Sequence, residues 1–453
     1  MRPSCNNSRR RARGQSRADL SKQSTPSRLD DATVLTHIVF EDLERERSSL
    51  PPIALIQLHV HTPDLRTCMK RFVIAALLIA APVNAQDTTA GRGGRGGGGR
   101  AVVITDTARA RSLFVSKSPA DLAGCGANCD THIRQRTETD SAYEARSKSV
   151  MDFQKVTYKS RVDGLEIPAY VFAPLIKKST GHAALVWVHG GVHSNWGLSM
   201  WPFVKDAVDR GYVIIAPNYR GSTGYGDTFH RKIDYGGMEV DDALSAVDYL
   251  KTVNYVDMDR LGMMGWSHGG FITALNLFRD GQPFRAGAAM VPVTNLIFRL
   301  SDHSPSYARD FAAEEGIQGL PFEKIEEYIK RSPVFHAENL KVPMLVHVAT
   351  NDCDVFFREN QQFVYTLRAL KPDLAETKIY VNPPQGAGGC GHTFNRRVNP
   401  TSTARDDTPE QIDSWNRTWT FFEWNLRPQS EFRKDNQEWK RDPRVASPRV
   451  PPP

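Results

Sequence analysis

The chain's 453 residues leave room for two or three average domains, although one α/β domain of about 250 residues or more would also account for most of it. With 40% hydrophobic and 24% charged residues, the composition is that of a globular protein. The formal charge of +7 would suit a nucleic-acid partner, but residues 1–85 hold 13 Lys and Arg against 8 Asp and Glu, which leaves only +2 for everything after. No nucleic-acid partner is therefore expected.

In chain order, the first feature is Met69-Lys70-Arg71, the apolar run Phe72 to Ala81 and the exit Pro82-Val83-Asn84-Ala85. A basic start, a short greasy stretch and small residues at the exit describe a secretory signal peptide over residues 69–85. The run is too short for a membrane anchor, since a crossing takes roughly 20 residues. An exported protein, periplasmic or extracellular, is expected, its mature chain beginning near Gln86. Residues 1–68 are rich in Arg and Ser without apolar periodicity, and translation from Met69 accounts for them; the alternative is a disordered basic extension or a transit peptide. Export permits disulfides among the four cysteines beyond the signal, Cys125, Cys129, Cys353 and Cys390. They form no C-x-x-C pair and no His cluster accompanies them, so neither a metal nor another cofactor is expected.

Gly91 to Arg100 cannot pack a core, and residues 86–100 read as a flexible linker. Arg-Gly tracts can bind RNA, but the export signal argues against that use here. Residues 101–152 are polar, with weak helical hints around Thr131 to Met151, and read as a small N-terminal arm. Val156 to Tyr158 and Ile167 to Phe172 then bracket Asp163-Gly164, a hairpin signal that opens the main domain at 153–427. Strands are expected at Ala183 to Val188, Tyr212 to Ala216, Leu261 to Met264, Ala286 to Val291, Met344 to Val348 and Lys378 to Val381. Helices are expected at Val240 to Tyr249, Gly269 to Phe278, Glu323 to Lys330, Gln361 to Leu370 and Glu410 to Leu426. Near-continuous apolar strands alternating with helices imply a mostly parallel sheet covered on both faces. Residues 428–453 are charged and Pro-rich and are expected to be disordered.

The motif that carries chemistry is Gly265-Trp266-Ser267-His268-Gly269-Gly270, a G-x-S-x-G nucleophile elbow between an apolar strand and a helix. A serine hydroxyl needs a base and an orienting carboxylate, and in an α/β-hydrolase these follow in the order Ser, Asp, His. His392, in a Gly-rich loop just past the final strand, is the one histidine beyond the acid loop. For the acid, Asp352 and Asp354 both follow the strand that starts at Pro343, and the residues alone leave the choice open. The oxyanion of the tetrahedral intermediate needs two backbone donors: His268 supplies one and Gly191, in the His189-Gly190-Gly191 loop, is the candidate for the other. Trp196 and Trp201 follow that loop and either line the acyl pocket or pack in a lid or core. Because the triad makes the acid and base loops neighbours, a Cys353–Cys390 disulfide is geometrically plausible, the alternative being two buried thiols. Cys125 and Cys129 allow a second, very short closure.

Taken together these blocks resemble the catalytic domain of the prolyl oligopeptidase family of serine peptidases, which includes dipeptidyl-peptidases and acylaminoacyl-peptidases. The resemblance rests on His189-Gly190-Gly191, Asn218 to Gly226, Asp257 to Arg260, the elbow, Arg331-Ser332-Pro333, Asp352 with Val355, and Gly391-His392, and it covers about residues 153 to 427. It implies Ser267 as nucleophile, Asp352 as orienting acid, His392 as general base and the Gly191 and His268 amides as oxyanion hole. Two departures stand out. His347-Val348-Ala349-Thr350 lacks the glycine that usually follows the strand histidine, and the interval from Gln86 to Asp152 is too short for the β-propeller such peptidases carry before the catalytic domain. The expectation is an exported serine hydrolase acting through an acyl-enzyme on short peptides. A carboxylesterase using the same triad is the alternative, and a catalytically dead binding module is a third. No stable membrane anchor is expected, and the sequence does not specify an oligomeric state.

Overall fold

A computed structural model describes residues 124–427 apart from 304–306, 309–310, 312–313, 315 and 385–389. The extension, the signal segment at 69–85, the Gly/Arg linker and the tail from 428 lie outside the described residues.

The hairpin forms where Asp163-Gly164 interrupts two β-rich runs. Strands β1 (Asp152–Lys159) and β2 (Glu166–Ala173) pair antiparallel with Tyr158 opposite Ile167, and Gly164 takes φ +72° in the turn. Six strands follow: β3 (His182–Val188), β4 (Val213–Pro217), β5 (Val256–Trp266), β6 (Ala286–Met290), β7 (Met344–Ala349) and β8 (Ala375–Tyr380). β2 pairs antiparallel with β4, and all pairings among β3 to β8 are parallel, in the order β1-β2-β4-β3-β5-β6-β7-β8. The fold is the α/β-hydrolase fold expected from the sequence.

Before, between and after the strands come the helices α1 (Cys129–Ser147), α2 (Trp201–Asp209), α3 (Asp227–His230), α4 (Met238–Leu250), α5 (His268–Leu277), α6 (Leu296–Asp302), α7 (Ile325–Lys330), α8 (Phe357–Leu370) and α9 (Pro409–Leu426). Successive strand residues point to opposite faces, and here both faces are apolar. In β3, Ala184, Val186 and Val188 pack with Val247 of α4, Phe271 of α5 and Phe363 of α8. Ala183, Leu185 and Trp187 pack instead with Phe203 of α2 and Trp415, Trp419 and Phe422 of α9. Helix α9 starts at Pro409 after Thr408, whose hydroxyl accepts the Gln411 amide at 3.3 Å. Its buried Trp415, Trp419, Phe422 and Leu426 recur at the three- and four-residue spacing that makes one helical stripe.

Several expectations are corrected. β5 begins five residues before Leu261 because the charged pair in its first half, Asp257 and Arg260, is buried and joined at 3.0 Å rather than solvated. β8 begins at Ala375 and ends at Tyr380, one residue before Val381; this edge strand carries the polar run Glu376-Thr377-Lys378 in its first half and so lacks a continuous apolar signal. Helices α2, α3 and α6 were not expected. The arm around residues 101–152 contains a 19-residue helix, α1, preceded by a Cys125–Cys129 disulfide. Tyr143 of α1 is fully buried against Phe153, Tyr170 and Phe172 of the hairpin, and its hydroxyl donates to the Gly197 carbonyl at 2.8 Å. Among the described residues, no helix is long and apolar enough to cross a membrane.

Candidate active site

Ser267 stands where β5 gives way to α5, at the centre of the sheet. Its φ of +55° lies in the left-handed region that side chains disfavour, at a cost of about 1–3 kcal/mol. Neighbouring bonds hold it there: its N–H donates to the Met290 carbonyl at 2.8 Å and its own carbonyl accepts from Phe271 at 2.9 Å. The spacing of the flanking glycines follows from this geometry. A Cβ on Gly265 would overlap the backbone of Gly269, and a Cβ on Gly269 would overlap the carbonyl of Val188.

Asp352 and His392 come from the loops after β7 and β8. His392 Nδ1 lies 2.8 Å from Asp352 Oδ2, while Asp352 Oδ1 accepts the amides of Asp354 and Val355, both at 2.9 Å. A carboxylate can only accept, so Nδ1 carries the proton and Nε2 presents its lone pair. Asp354, the other candidate acid, stands on the opposite side of the ring: its Oδ2 is 4.0 Å from His392 Nε2, and its Oδ1 is 3.0 Å from Arg299 Nη2. Geometry thus gives the Nδ1 position to Asp352. Cys353 and Cys390 are joined as a disulfide with Cα atoms 5.5 Å apart, and the Gly391 amide donates to Asn351 O at 3.0 Å. The acid and base loops are therefore tied together on both sides of the Asp352–His392 contact.

The His189-Gly190-Gly191 loop lies directly on the residue before the nucleophile, since a Cβ on Gly190 would come within 2.6 Å of the Trp266 ring. Gly191 adopts φ +72°, and its carbonyl is held by the Ser194 amide at 3.1 Å and the Tyr219 hydroxyl at 3.0 Å. His189 stacks on Tyr219 with ring centroids 4.3 Å apart and contacts Ser222 Oγ at 2.9 Å; burial holds its imidazole down at about 3, so it is neutral. His268 opens α5, where the helix dipole is positive. Its side chain is buried among Tyr219, Tyr235 and Phe271, 3.3 Å from Glu239. Burial pushes Glu239 up to about 8 and His268 down to about 3, so the two meet as neutral groups, with Glu239 also accepting the Gly236 and Gly237 amides. Trp196 is core: it meets Trp187 and Trp266 edge-on and donates its amide to Asn218 Oδ1 at 2.9 Å. Trp201 is half-buried and packs against the same apolar cluster.

Four charged residues near the site escaped the sequence reading. Arg299 of α6 is buried and reaches Tyr307 OH at 2.7 Å as well as Asp354. Glu359 of α8 accepts the Thr294 and Asn295 amides at 2.6 and 3.0 Å, and burial outweighs the pull of Arg299 to set it at about 7. Arg396 lies over the Trp266 ring at 5.0 Å, lowered by burial to about 9 against the attraction of Asp352 and Asp354. Glu239 is the fourth. None sits at a spacing that marks chemistry; the one signal available was Arg299, a lone charge in the apolar run Leu296 to Leu300. By contrast, several charged motif residues are structural. Arg220 grips Asp242 at 2.8 Å, and Arg331 holds Asp234 at 2.5 Å and the Tyr235 carbonyl at 2.9 Å.

Residues 198–400, which contain Ser267, Asp352 and His392, match the sequence profile of the prolyl oligopeptidase family. This catalytic region belongs to the prolyl oligopeptidase family. Among curated members, the chain is 30% identical over 258 residues to the uncharacterized peptidase YuxL of Bacillus subtilis, covering 56% of this chain and 37% of that one. It is 29% identical to dipeptidyl aminopeptidase BIII of Pseudoxanthomonas mexicana (53% and 35% covered) and 27% identical to acylamino-acid-releasing enzyme 1 of Oryza sativa subsp. japonica (49% and 29%). The chain thus spans roughly a third of the length of these relatives. Pyrococcus horikoshii acylaminoacyl peptidase shares the fold, with a TM-score of 0.51 at 23% identity over 65% of this chain and 45% of that one.

Proposed function

We propose that the protein is an exported serine hydrolase that forms an acyl-enzyme on Ser267 and releases it with water, acting as a peptidase on short peptides. The 2.8 Å contact between His392 Nδ1 and Asp352 carries this reading, because it fixes the tautomer whose Nε2 can take the serine proton. In the first step that proton passes to Nε2 as Oγ bonds to the carbonyl carbon, and the Gly191 and His268 amides receive the oxyanion. His392 then returns the proton to the leaving amine as the acyl bond to it breaks, and water repeats the sequence on the acyl-enzyme. The two disulfides support an oxidising destination.

The test pairs labelling with turnover. A fluorophosphonate probe should modify Ser267 and nothing in Ser267→Ala, and the purified chain should cleave aminoacyl p-nitroanilides. Cleavage of short-chain esters alone would make it a carboxylesterase. Absence of both labelling and turnover would make it a binding module.

A further inference from the structure

His392 is flanked by two carboxylates, and the triad uses only one. Asp354 projects from the same loop toward the opposite ring nitrogen, with Oδ2 4.0 Å from Nε2 and its side chain 50% exposed. The geometry points to Asp354 as a specificity-determining residue that accepts a protonated amine on the acyl part of the substrate. This rests on the serine-hydrolase reading and gives it a substrate class: amides or esters whose reacting carbonyl lies within one residue of a free ammonium.

Position supports the assignment first. In a productive complex Nε2 is about 3 Å from the serine oxygen, which is itself about 3 Å from the reacting carbon. An α-nitrogen is two bonds from that carbon, about 2.5 Å away. A carboxylate oxygen 4 Å from Nε2 is therefore within reach of an ammonium on the residue being attacked or on the one before it.

Rigidity supports it next. Arg299 Nη2 holds Oδ1 at 3.0 Å and Nη1 holds the Asp354 carbonyl at 3.2 Å, while Arg299 itself is buried. The carboxylate is thus placed before substrate arrives, and Oδ2 stays on the His392 side to accept a charge-assisted bond. Burial opposes its ionisation, but His392 and Arg299 outweigh that and hold the carboxyl at about 2, so it is anionic throughout the working range. The other titratable groups facing it are Tyr307, His303 and Arg396. His303 contacts the Asp354 carbonyl at 3.0 Å and is held down at about 4 by burial and by Arg299, hence neutral. Arg396 faces it from the loop beyond His392, over Trp266. An N-acylated substrate offers Oδ2 only a neutral amide.

The experiment measures kcat/KM of the full chain on the ethyl esters and p-nitroanilides of alanine and alanylalanine, each against its N-acetylated form. The wild type should prefer the free amines, and the preference should fade above about pH 8 as the α-amine loses its proton. Asp354→Asn should lower the ratio of free to acetylated kcat/KM by about 10- to 100-fold, and Asp354→Glu should keep most of it. Equal loss on both members of each pair would make Asp354 a mere tether for Arg299 and overturn the proposal, as would a wild-type preference for acetylated substrates. If only the esters react, the peptidase reading fails while the ammonium ratio is still read from the ester pairs. If nothing reacts, binding of alanine amide against N-acetylalanine amide by calorimetry decides. Tighter binding of the charged amide that disappears in Asp354→Asn supports the proposal, and equal binding overturns it.

Discussion

Both oxygens of Asp352 are committed, one to His392 and the other to two backbone amides, so an asparagine there turns the imidazole to the wrong tautomer without loosening the loop. Asp352→Asn is expected to lower kcat by about 10³- to 10⁴-fold with little change in the melting midpoint, measured by steady-state kinetics beside thermal unfolding. A second consequence concerns Glu239. Its folded pKa of about 8 lies above its ordinary value, so the native state holds a proton that the unfolded chain releases near 4.5. The associated stability is fully present below pH 4.5 and is lost as pH rises through 8. Glu239→Gln should remove that part of the decline, seen as a flatter denaturant midpoint between pH 5 and 9; an unchanged slope would show that Glu239 is already ionised. The candidate nucleophile Ser267 and the candidate base His392 were legible from pattern and chain order. The candidate acid was not, because Asp352 and Asp354 stand two apart in one loop and only the direction of each side chain separates them.

At the level of elements, the loop pair after β7 and β8 is closed by a disulfide that spans 37 residues, whereas the Cys125–Cys129 bond spans four. In the chain-entropy view the longer closure stabilises by roughly 3–4 kcal/mol and the shorter by less. Replacing Cys353 and Cys390 by serine should lower both the denaturant midpoint and kcat, because it frees the residues beside Asp352 and His392. Replacing Cys125 and Cys129 should leave kcat within about twofold, since that bond lies at the start of α1, and the two double variants compared by equilibrium unfolding and turnover check this. Strand positions were legible wherever both faces are buried, as in β3 and β4. They blurred where a buried ion pair interrupts the apolar run, as at Asp257 and Arg260, or where the strand lies at the edge, as in β8.

Across the whole molecule, the alternation of strands and helices foretold the sheet and its covered faces, but not the part played by the arm. Helix α1 is polar along most of its length, and its docking depends on Tyr143, which joins the apolar cluster of Phe172, Trp187 and Phe203 and hooks the carbonyl of Gly197. Tyr143→Ala is expected to cost about 3–5 kcal/mol in urea unfolding while the Asp352–His392 geometry survives. A loss below 1 kcal/mol would show the arm to be dispensable. The order of strands across the sheet bears on timing. Ser267 directly follows a central strand, yet its candidate acid and base follow β7 and β8, the last two strands laid down at one edge, and α9, which packs beneath that sheet, comes later still. As the chain emerges from the ribosome, the serine is complete long before anything can deprotonate it. Hydrolytic activity therefore cannot precede closure of the far edge, and its onset during refolding reports that the final strands have found their places.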